Sequence, residues 1–310
     1  MKTFNSLFNY NRKKKSILTL GTFDGVHIGH QKILRKLTQE ADSGNYESVL
    51  LTFFPHPRMV LKQDSKIQLL NTITEKTKLI EETGVDNLII HPFDTTFSEL
   101  SAEDFVKKIL IDQLNLAKII IGYDHKFGKN RSADINDLIS LGKKYDFEVE
   151  QISAKEIDDI SISSTKIRKA LLDGNIELAN TYLGTKYSLC GTVVTGKKIG
   201  RTIGYPTANL KIEEDYKLIP KNGVYVVSSI IHNKNIFGMM NIGKNPTVNG
   251  VSNSIEIYFF DFNEEIYSEE ICINLHSRIR EEKKFESLDQ LKNQLRLDEI
   301  YSKNYISTNA

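Results

Sequence analysis

Hydrophobic residues in the first half of the chain follow two alternating patterns. Short runs rich in apolar residues predict strands, and the segments between them carry apolar residues at helical spacing. In the run 48–54 the apolar residues do not alternate with polar ones, which is typical of a parallel strand buried on both faces. We therefore predict a parallel sheet covered by helices. The predicted strands are 16–20, 48–54, 87–90, 118–121 and 147–152, and the predicted helices are 29–41, 73–83, one capped by Ser101, and 134–145.

The pattern changes after about Gly184. The apolar runs become β-like and are separated by Gly, Pro and Asn turns, which favours an antiparallel barrel or sandwich. A last amphipathic helix is predicted over 288–297. We expect two domains, residues 1–183 and 184–310, joined without a long linker. The β-like runs are 188–195, 224–231, 236–241 and 254–260.

The charge balance excludes one class of partner. Lys and Arg number 41 against 40 Asp and Glu, a net charge of +1, so no basic footprint for nucleic acid is expected. No apolar stretch approaches the roughly 18 residues that a membrane helix needs. The sequence gives no prediction of self-association.

The two cysteines bear on the compartment. Cys190 and Cys272 are far apart and lack metal-ligand spacing, so we predict two reduced thiols. Reduced thiols fit a reducing compartment, and we predict a cytoplasmic protein.

The first candidate site is the string Gly21–His30, between a predicted strand and a predicted helix. Glycines permit close approach of the backbone, and a helix start offers free N–H groups to phosphate. His27 and His30 are spaced to face one pocket, where imidazoles stabilise charge that develops on a phosphate. The alternative is a capped turn with two solvated histidines. The residues assigned to ATP or phosphate are Gly21, Phe23, Asp24 and Gly29, with His27 and His30 as catalytic candidates.

A second string, 163–168, places hydroxyls and a guanidinium at a predicted helix start. Ser164, Thr165 and Arg168 would form a phosphate clamp, with an ordinary N-cap and a surface Arg as the alternative. Two further loops follow strands. Pro55 and His56 would line a flavin or nucleotide pocket, and Asp124 would bind a polar edge of the ligand. Plain turns or solvated loops are the alternatives for both.

The second half contains a glycine-rich basic loop, 196–204, before Tyr205-Pro206-Thr207-Ala208-Asn209. Gly196, Gly200, Arg201 and Gly204 suit a flap over nucleotide phosphates, although a basic hairpin loop is the alternative. On a strand, Thr207 and Asn209 would point to one side, and their oxygens suit Mg²⁺.

Two charged residues of the second half are further candidates. Glu256, among apolar strand neighbours, is a candidate general base, unless it simply faces outward. Arg280 would bind phosphate or flavin, or pair with an acid.

Taken together, these strings resemble the bacterial bifunctional riboflavin kinase/FAD synthetase family, in the same order from about Ile17 to Leu297. The strings that carry the resemblance are 21–30, 52–57, 122–128, 163–168, 200–209, 222–225, 241–247 and 280–285. Four positions depart from the expected pattern: Tyr205, His125, Tyr258 and Ser268, which follows Tyr267 where Gly is usual.

The resemblance implies a Rossmann-like nucleotidyltransferase domain followed by a six-stranded riboflavin kinase barrel. It implies that His27 and His30 engage ATP in adenylyl transfer, helped by Ser164, Thr165 and Arg168. It also implies that Thr207 and Asn209 bind Mg-ATP and that Glu256 is the catalytic base. The implied substrates are riboflavin, FMN and ATP, with Mg²⁺ as cofactor.

Two other classes of protein compete with this interpretation. The string His27-Ile28-Gly29-His30 matches the signature of class I aminoacyl-tRNA synthetases, but their Lys-rich partner motif and a basic surface for tRNA are missing. A non-catalytic flavin- or nucleotide-binding regulator would use both pockets without turnover. A variant of that alternative keeps one active domain and one inactive domain.

Overall fold

The computed structural model describes residues 1–11, 13–61, 67–122, 126–153, 162–196, 199–247 and 250–309. The chain divides into two compact units, Met1–Ser164 and Thr165–Ala310. Among the described helices, none combines the length and the hydropathy that a membrane-spanning segment needs.

The first unit is built on a six-stranded sheet in which every paired strand runs parallel. The predicted parallel sheet is therefore confirmed. The strands are β1 Lys2–Phe4, β2 Ser16–Leu20, β3 Glu47–Phe53, β4 Asn87–His91, β5 Leu116–Gly122 and β6 Glu148–Ile152. Their order in the sheet is β1-β4-β3-β2-β5-β6, so the chain moves outward from β2 to β4 and then crosses to β5.

Helices and short turns connect the strands of this sheet. The turn Leu7–Asn9 precedes β2, and the π-helical segment Phe105–Gln113 continues directly from α5. A further turn, Lys129–Arg131, precedes α6. The α-helices are α1 Ile28–Gly44, α2 Pro57–Val60, α3 Ile73–Glu81, α4 Thr95–Ser98, α5 Ala102–Asp104 and α6 Ile135–Tyr145.

Each face of the sheet has its own hydrophobic core. Successive residues of one strand point to opposite faces, so Ile17 and Leu18 of β2 belong to different cores. Leu34 and Leu37 of α1 pack with Ile17, and Phe105 packs on the opposite face with Leu18. This two-sided burial explains why the inner strands β2 to β5 are mainly apolar, whereas the edge strands β1 and β6 are more exposed and more polar.

The second unit is a closed antiparallel barrel with the order β10-β11-β8-β7-β12-β9. Both the predicted antiparallel character and the six strands implied by the resemblance are confirmed. The strands are β7 Tyr187–Val194, β8 Ala208–Lys211, β9 Gly223–Ile231, β10 Lys234–Thr247, β11 Gly250–Phe259 and β12 Glu270–Arg280. The helices are α7 Ser164–Asp173, α8 Ile176–Leu183, α9 Ile199–Thr202 and α10 Leu288–Asn309.

The last helix continues beyond its predicted end at Leu297. The two residues that α10 buries, Asp298 and Ser302, are both polar. The sequence pattern predicts a helix only as far as apolar residues recur at helical spacing, and these two buried positions carry polar residues instead.

The cysteines are joined, so the prediction of two reduced thiols is wrong. Cys190 of β7 and Cys272 of β12 are directly opposed in the ladder and form a disulfide. Their separation of 82 residues conceals this pairing in the sequence. The disulfide also removes the argument that led from free thiols to a reducing compartment.

We expect reduction of this disulfide to destabilise the second unit. A cross-link over a long loop restricts the unfolded chain and typically contributes about 2–4 kcal/mol. Thermal unfolding should therefore show a lower midpoint when a reducing agent is present. The double variant Cys190→Ser/Cys272→Ser should unfold at the reduced midpoint and ignore the reducing agent. Identical midpoints for all samples would contradict the prediction.

Candidate functional site

The loop that follows β2 lies where the strand order of the sheet reverses. β2 pairs with β3 on one side and with β5 on the other. Open parallel sheets bind ligands at the carboxyl ends of their strands at such a point. Phe23, Gly25 and Val26 all have positive φ angles, of 46°, 90° and 40°, which fold the loop tightly before α1. The Gly21–His30 string thus forms a compact turn at a position suited to a ligand.

The two histidines of the loop lie together at the start of α1, as their spacing predicts. The His27 side chain caps the helix by accepting a hydrogen bond from the backbone N–H of His30, at 3.4 Å. The two rings stack with centroids 3.7 Å apart, and the Phe23 ring lies 4.6 Å from that of His30. The helix start and both imidazoles therefore face one small region.

His30 is held in its neutral form. Burial lowers its pKa well below 6.5, and the nearby charges of His27 and Lys76 act in the same direction. Its Nδ1 is shielded from solvent and has no hydrogen-bond partner within the described part of the chain. Buried polar atoms are normally paired, and an unpaired one at a loop of this kind suits a ligand. A neutral imidazole can offer one N–H to a phosphate oxygen.

A buried lysine that the sequence interpretation missed contacts the same loop. Lys76 of α3 donates hydrogen bonds to the Thr22 carbonyl at 3.1 Å and to Thr52 Oγ1 at 3.0 Å. Burial lowers its pKa to about 8, and the charge of Asp24 opposes that shift. The sequence did contain a signal, since Lys76 is four residues before the buried Ile80 and so lies on the apolar stripe of the predicted helix.

Asp24 turns its carboxylate to backbone amides. The carboxylate accepts hydrogen bonds from Leu70 N–H at 2.9 and 3.1 Å and from Asn71 N–H at 3.3 Å. Its assignment to ATP or phosphate stays a prediction, and the observed contacts give it a role in holding the loop.

The Ser164 hydroxyl donates to the Asp24 carbonyl at 2.9 Å. The structure thus brings Ser164, the last residue of the first unit, to the loop, and the roles of Thr165 and Arg168 stay predictions.

The ligand-binding roles predicted for the other two loops of the first unit stay predictions. β3 ends at Phe53 and is followed by a cis peptide bond between Phe54 and Pro55. His56 is buried and caps α2, where its Nδ1 accepts from Arg58 N–H at 3.1 Å. Asp124 lies outside the described residues, as do its neighbours 123 and 125.

In the barrel, Glu256 lies in a row of polar residues that crosses three strands. Its register partners are Asn209 of β8 and Asn241 of β10. Directly opposed residues in a ladder project from the same face, so the carboxylate is flanked by two amides. Ser254 donates to Glu256 Oε1 at 2.9 Å, and Thr207 Oγ1 lies 3.5 Å from Oε2. The structure thus brings Thr207, Asn209 and Glu256 together.

Two members of this polar cluster were missed in the sequence. Ser254 precedes Glu256 by two residues, so the period of a strand places it on the same face. That spacing is a signal the sequence did contain. Asn241 is brought to Glu256 only by the register between β10 and β11, which no local pattern reveals.

The glycine-rich loop lies against the same cluster. A Cβ at Gly200 would collide with the backbone carbonyl of Tyr205, so glycine is required there. A Cβ at Gly196 would collide with the side-chain amide of Asn209, which would have to move. Gly204 has a φ of 87°, and Arg201 is exposed on the short helix α9. Residues 197 and 198 lie outside the described part of the chain.

Arg280 forms an ion pair with an acid, which is one of the two interpretations given for it. Its Nε lies 2.9 and 3.0 Å from the carboxylate oxygens of Asp298, and its Nη2 donates at 2.7 Å. Asp298 is 1 % exposed, so this pair is inside the protein rather than on its surface. Flavin binding by Arg280 stays a prediction.

Each half of the chain matches a known protein family. Residues 9–166 match the family described as FAD synthetase, and residues 183–306 match the family described as riboflavin kinase. A protein of Buchnera aphidicola subsp. Schizaphis graminum named "Bifunctional riboflavin kinase/FMN adenylyltransferase" is 39% identical over 312 residues, covering 99% of both chains. The Haemophilus influenzae protein of that name is 38% identical and covers 96% of this chain and 97% of its own.

A solved structure is also similar over nearly the whole length. It is described as a macrolide-efflux protein from Streptococcus pneumoniae and superposes with a TM-score of 0.88 at 35% identity. It covers 97% of this chain and 98% of its own.

We expect Asp24→Asn to loosen the first loop. The amide keeps the shape of the side chain but replaces an acceptor with a donor, and an unsatisfied buried group costs about 1–3 kcal/mol. Hydrogen exchange at the Leu70 and Asn71 amides should become faster. Asp42→Asn, an exposed change on α1, should leave both rates unchanged. Equal protection in the Asp24 variant and the unaltered protein would contradict this prediction.

Proposed function

The chain belongs to the bifunctional riboflavin kinase/FMN adenylyltransferase family, and from that membership we propose how its two reactions divide between two sites. As a member it phosphorylates riboflavin to FMN and then adenylylates FMN to FAD, using ATP in both steps. We assign adenylylation to residues 1–183 and phosphorylation to residues 184–310. The matched families follow the same order along the chain, which supports this division.

Phosphorylation is proposed to occur beside Glu256. The carboxylate accepts the proton of the riboflavin 5′-hydroxyl while the hydroxyl oxygen attacks the γ-phosphorus of ATP, and ADP leaves. A general base must lie within reach of the proton it takes. The observation that carries this proposal is the row Asn209-Glu256-Asn241, with Thr207 beside the carboxylate. Gly196, Gly200, Arg201 and Gly204 are proposed to hold the phosphates.

The same cluster suits a magnesium ion that accompanies ATP. Thr207 and Asn209 offer hydroxyl and amide oxygens next to a carboxylate, and Mg²⁺ prefers such hard oxygen donors. We propose that Thr207 and Asn209 hold it. When bound, the ion neutralises charge on the phosphates.

Adenylylation is proposed to occur at the Gly21–His30 loop. A phosphate oxygen of FMN attacks the α-phosphorus of a second ATP, and pyrophosphate leaves without a covalent enzyme intermediate. His27, His30 and the start of α1 stabilise charge on the phosphates, and this chemistry depends mainly on positioning. Ser164, Thr165 and Arg168 are proposed to assist, with Gly21, Phe23, Asp24 and Gly29 shaping the loop.

The remaining assignments concern ligands and location. Pro55, His56, Asp124 and Arg280 are proposed to contact the flavin. Riboflavin, FMN and ATP are the proposed small-molecule partners, and the balanced charge gives no reason to add a nucleic acid. We place the protein in the cytoplasm, because both reactions consume ATP.

A time course tests the whole scheme. The purified chain is incubated with riboflavin, ATP and Mg²⁺, and the flavins are separated by chromatography. FMN should appear first and FAD should follow. FMN without FAD would remove the first site from the scheme, and FAD formed only from added FMN would remove the second.

We expect Glu256→Gln to abolish the kinase step selectively. Loss of a general base typically costs about 10²–10⁴-fold in rate, so FMN formation should fall by that order. FAD formation from supplied FMN should be unchanged. Glu270→Gln, at an exposed position of β12, is the matched control and should keep both activities. Loss of both activities in a folded Glu256 variant would contradict the division of labour.

The opposite selectivity is expected for His30→Ala. Removing one donor to charge that develops in a transition state typically costs about 10²–10³-fold. FAD formation from FMN should fall by that order, while riboflavin phosphorylation by the same preparation continues as the internal control. Undiminished adenylylation would remove His30 from the catalytic residues.

A further inference from the structure

Lys76 occupies a position that is costly for a lysine. The residue is 6% exposed, and both hydrogen bonds that its ammonium donates in the loop region go to uncharged oxygens. Burying an ammonium group opposes folding unless the group is well compensated. Such a residue at the edge of a candidate active site therefore calls for an explanation beyond packing.

The Lys76 ammonium, the Thr22 carbonyl and the Thr52 hydroxyl are all hydrogen-bonded to one another. Thr52 Oγ1 donates to the Thr22 carbonyl at 3.2 Å, and Lys76 donates to both of these oxygens. Thr22 lies in the loop, Thr52 lies near the end of β3, and Lys76 lies in α3. Three separate elements therefore meet at one nitrogen atom.

We propose that Lys76 is a positioning residue for adenylyl transfer, because its ammonium fixes the loop that carries His27 and His30 to the end of β3. This inference rests on the function proposed for the Gly21–His30 loop. The link to the histidines is short. Thr22 is followed directly by Phe23, whose ring lies 4.6 Å from the His30 ring. A shift at Thr22 would therefore move the surface against which His30 packs.

Charge supports the same role. The titratable groups that interact with the ammonium are Asp24 in the loop and His30 on α1, and Glu75 is its neighbour on α3. The Glu75 carboxylate is engaged with Thr72 N–H in the capping box of α3, at 2.8 Å. The positive charge of Lys76 is one of the causes that lower the pKa of His30.

The sign of the pH effect follows from the lysine itself. Its pKa is lowered to about 8, so the charge is present below that pH and is lost as pH rises through it. Adenylylation that depends on this charge should decline on the alkaline side of about pH 8. Without the lysine, the pKa of His30 should rise. The loss of adenylylation that accompanies protonation of His30 at acid pH should therefore begin closer to neutral pH.

The decisive experiment measures kcat/KM for FAD formation from FMN against pH. Lys76→Met keeps a long apolar stem and removes the charge, and small misplacements at an active site cost on the order of 10²-fold. We expect a loss of about 10–100-fold near neutral pH and no alkaline decline near pH 8. Riboflavin phosphorylation by the same protein should be unchanged.

Two further variants separate positioning from simple loss of stability. Lys118→Met removes another shielded lysine of the first unit, on β5, that pairs with Glu40 at 2.6 Å and with Glu150 at 2.5 Å. It should lower the unfolding temperature and keep the pH profile. Thr52→Val breaks one contact of the ammonium but leaves its charge, so activity should fall less and the alkaline decline should remain. This variant also serves if Lys76→Met does not fold.

Three outcomes would overturn the inference. Wild-type kcat/KM in Lys76→Met would show that the loop needs no such anchor. A reduced rate with an unchanged alkaline decline in that variant would leave Lys76 a purely structural role. An unaltered chain that forms FMN but no FAD would remove the function proposed for the loop, and this inference with it.

Discussion

Burial of both faces of the parallel sheet is the constraint that the first unit depends on. All five residues of β2 are buried, and alternate side chains belong to separate cores. A polar group within such a strand must be paired inside the protein, as the Ser16 hydroxyl is with the Leu114 carbonyl, because an unpaired one would be costly. Polar groups that are to bind a ligand therefore lie beyond the carboxyl end of the strand, where Gly21 begins the loop. The tight turn, the helix start and the two histidines are therefore consequences of where the core stops.

In the barrel, the polar residues of the candidate site lie within the strands rather than beyond their ends. Residues 254–259 of β11 alternate between less buried and buried positions, so Glu256 lies between the buried Ile255 and Ile257 and projects from the other face. The antiparallel register then brings amides from β8 and β10 to either side of the carboxylate. A row assembled by register can combine residues that are distant in the chain. The loop before β8 reaches this row because Gly196 has no side chain to collide with Asn209.

Most of the architecture could be predicted from local patterns, and the failures have physical reasons. Strand β1 has three residues, too few to show any periodicity. The end of α10 was missed because Asp298 replaces an apolar residue and pairs with Arg280. The site histidines were found because they are close in sequence. Asn241 and the disulfide were not, since both depend on contacts between strands that only the folded barrel establishes.

The disulfide joins the first and last strands of the barrel, which gives it a topological meaning. Strands β8 to β11 all lie between Cys190 and Cys272 in the chain. The segment from one cysteine to the other is therefore a covalent ring. A single backbone cleavage at any bond within this ring leaves both fragments attached to each other. New chain ends introduced in a turn between these strands would therefore still belong to one covalently connected molecule.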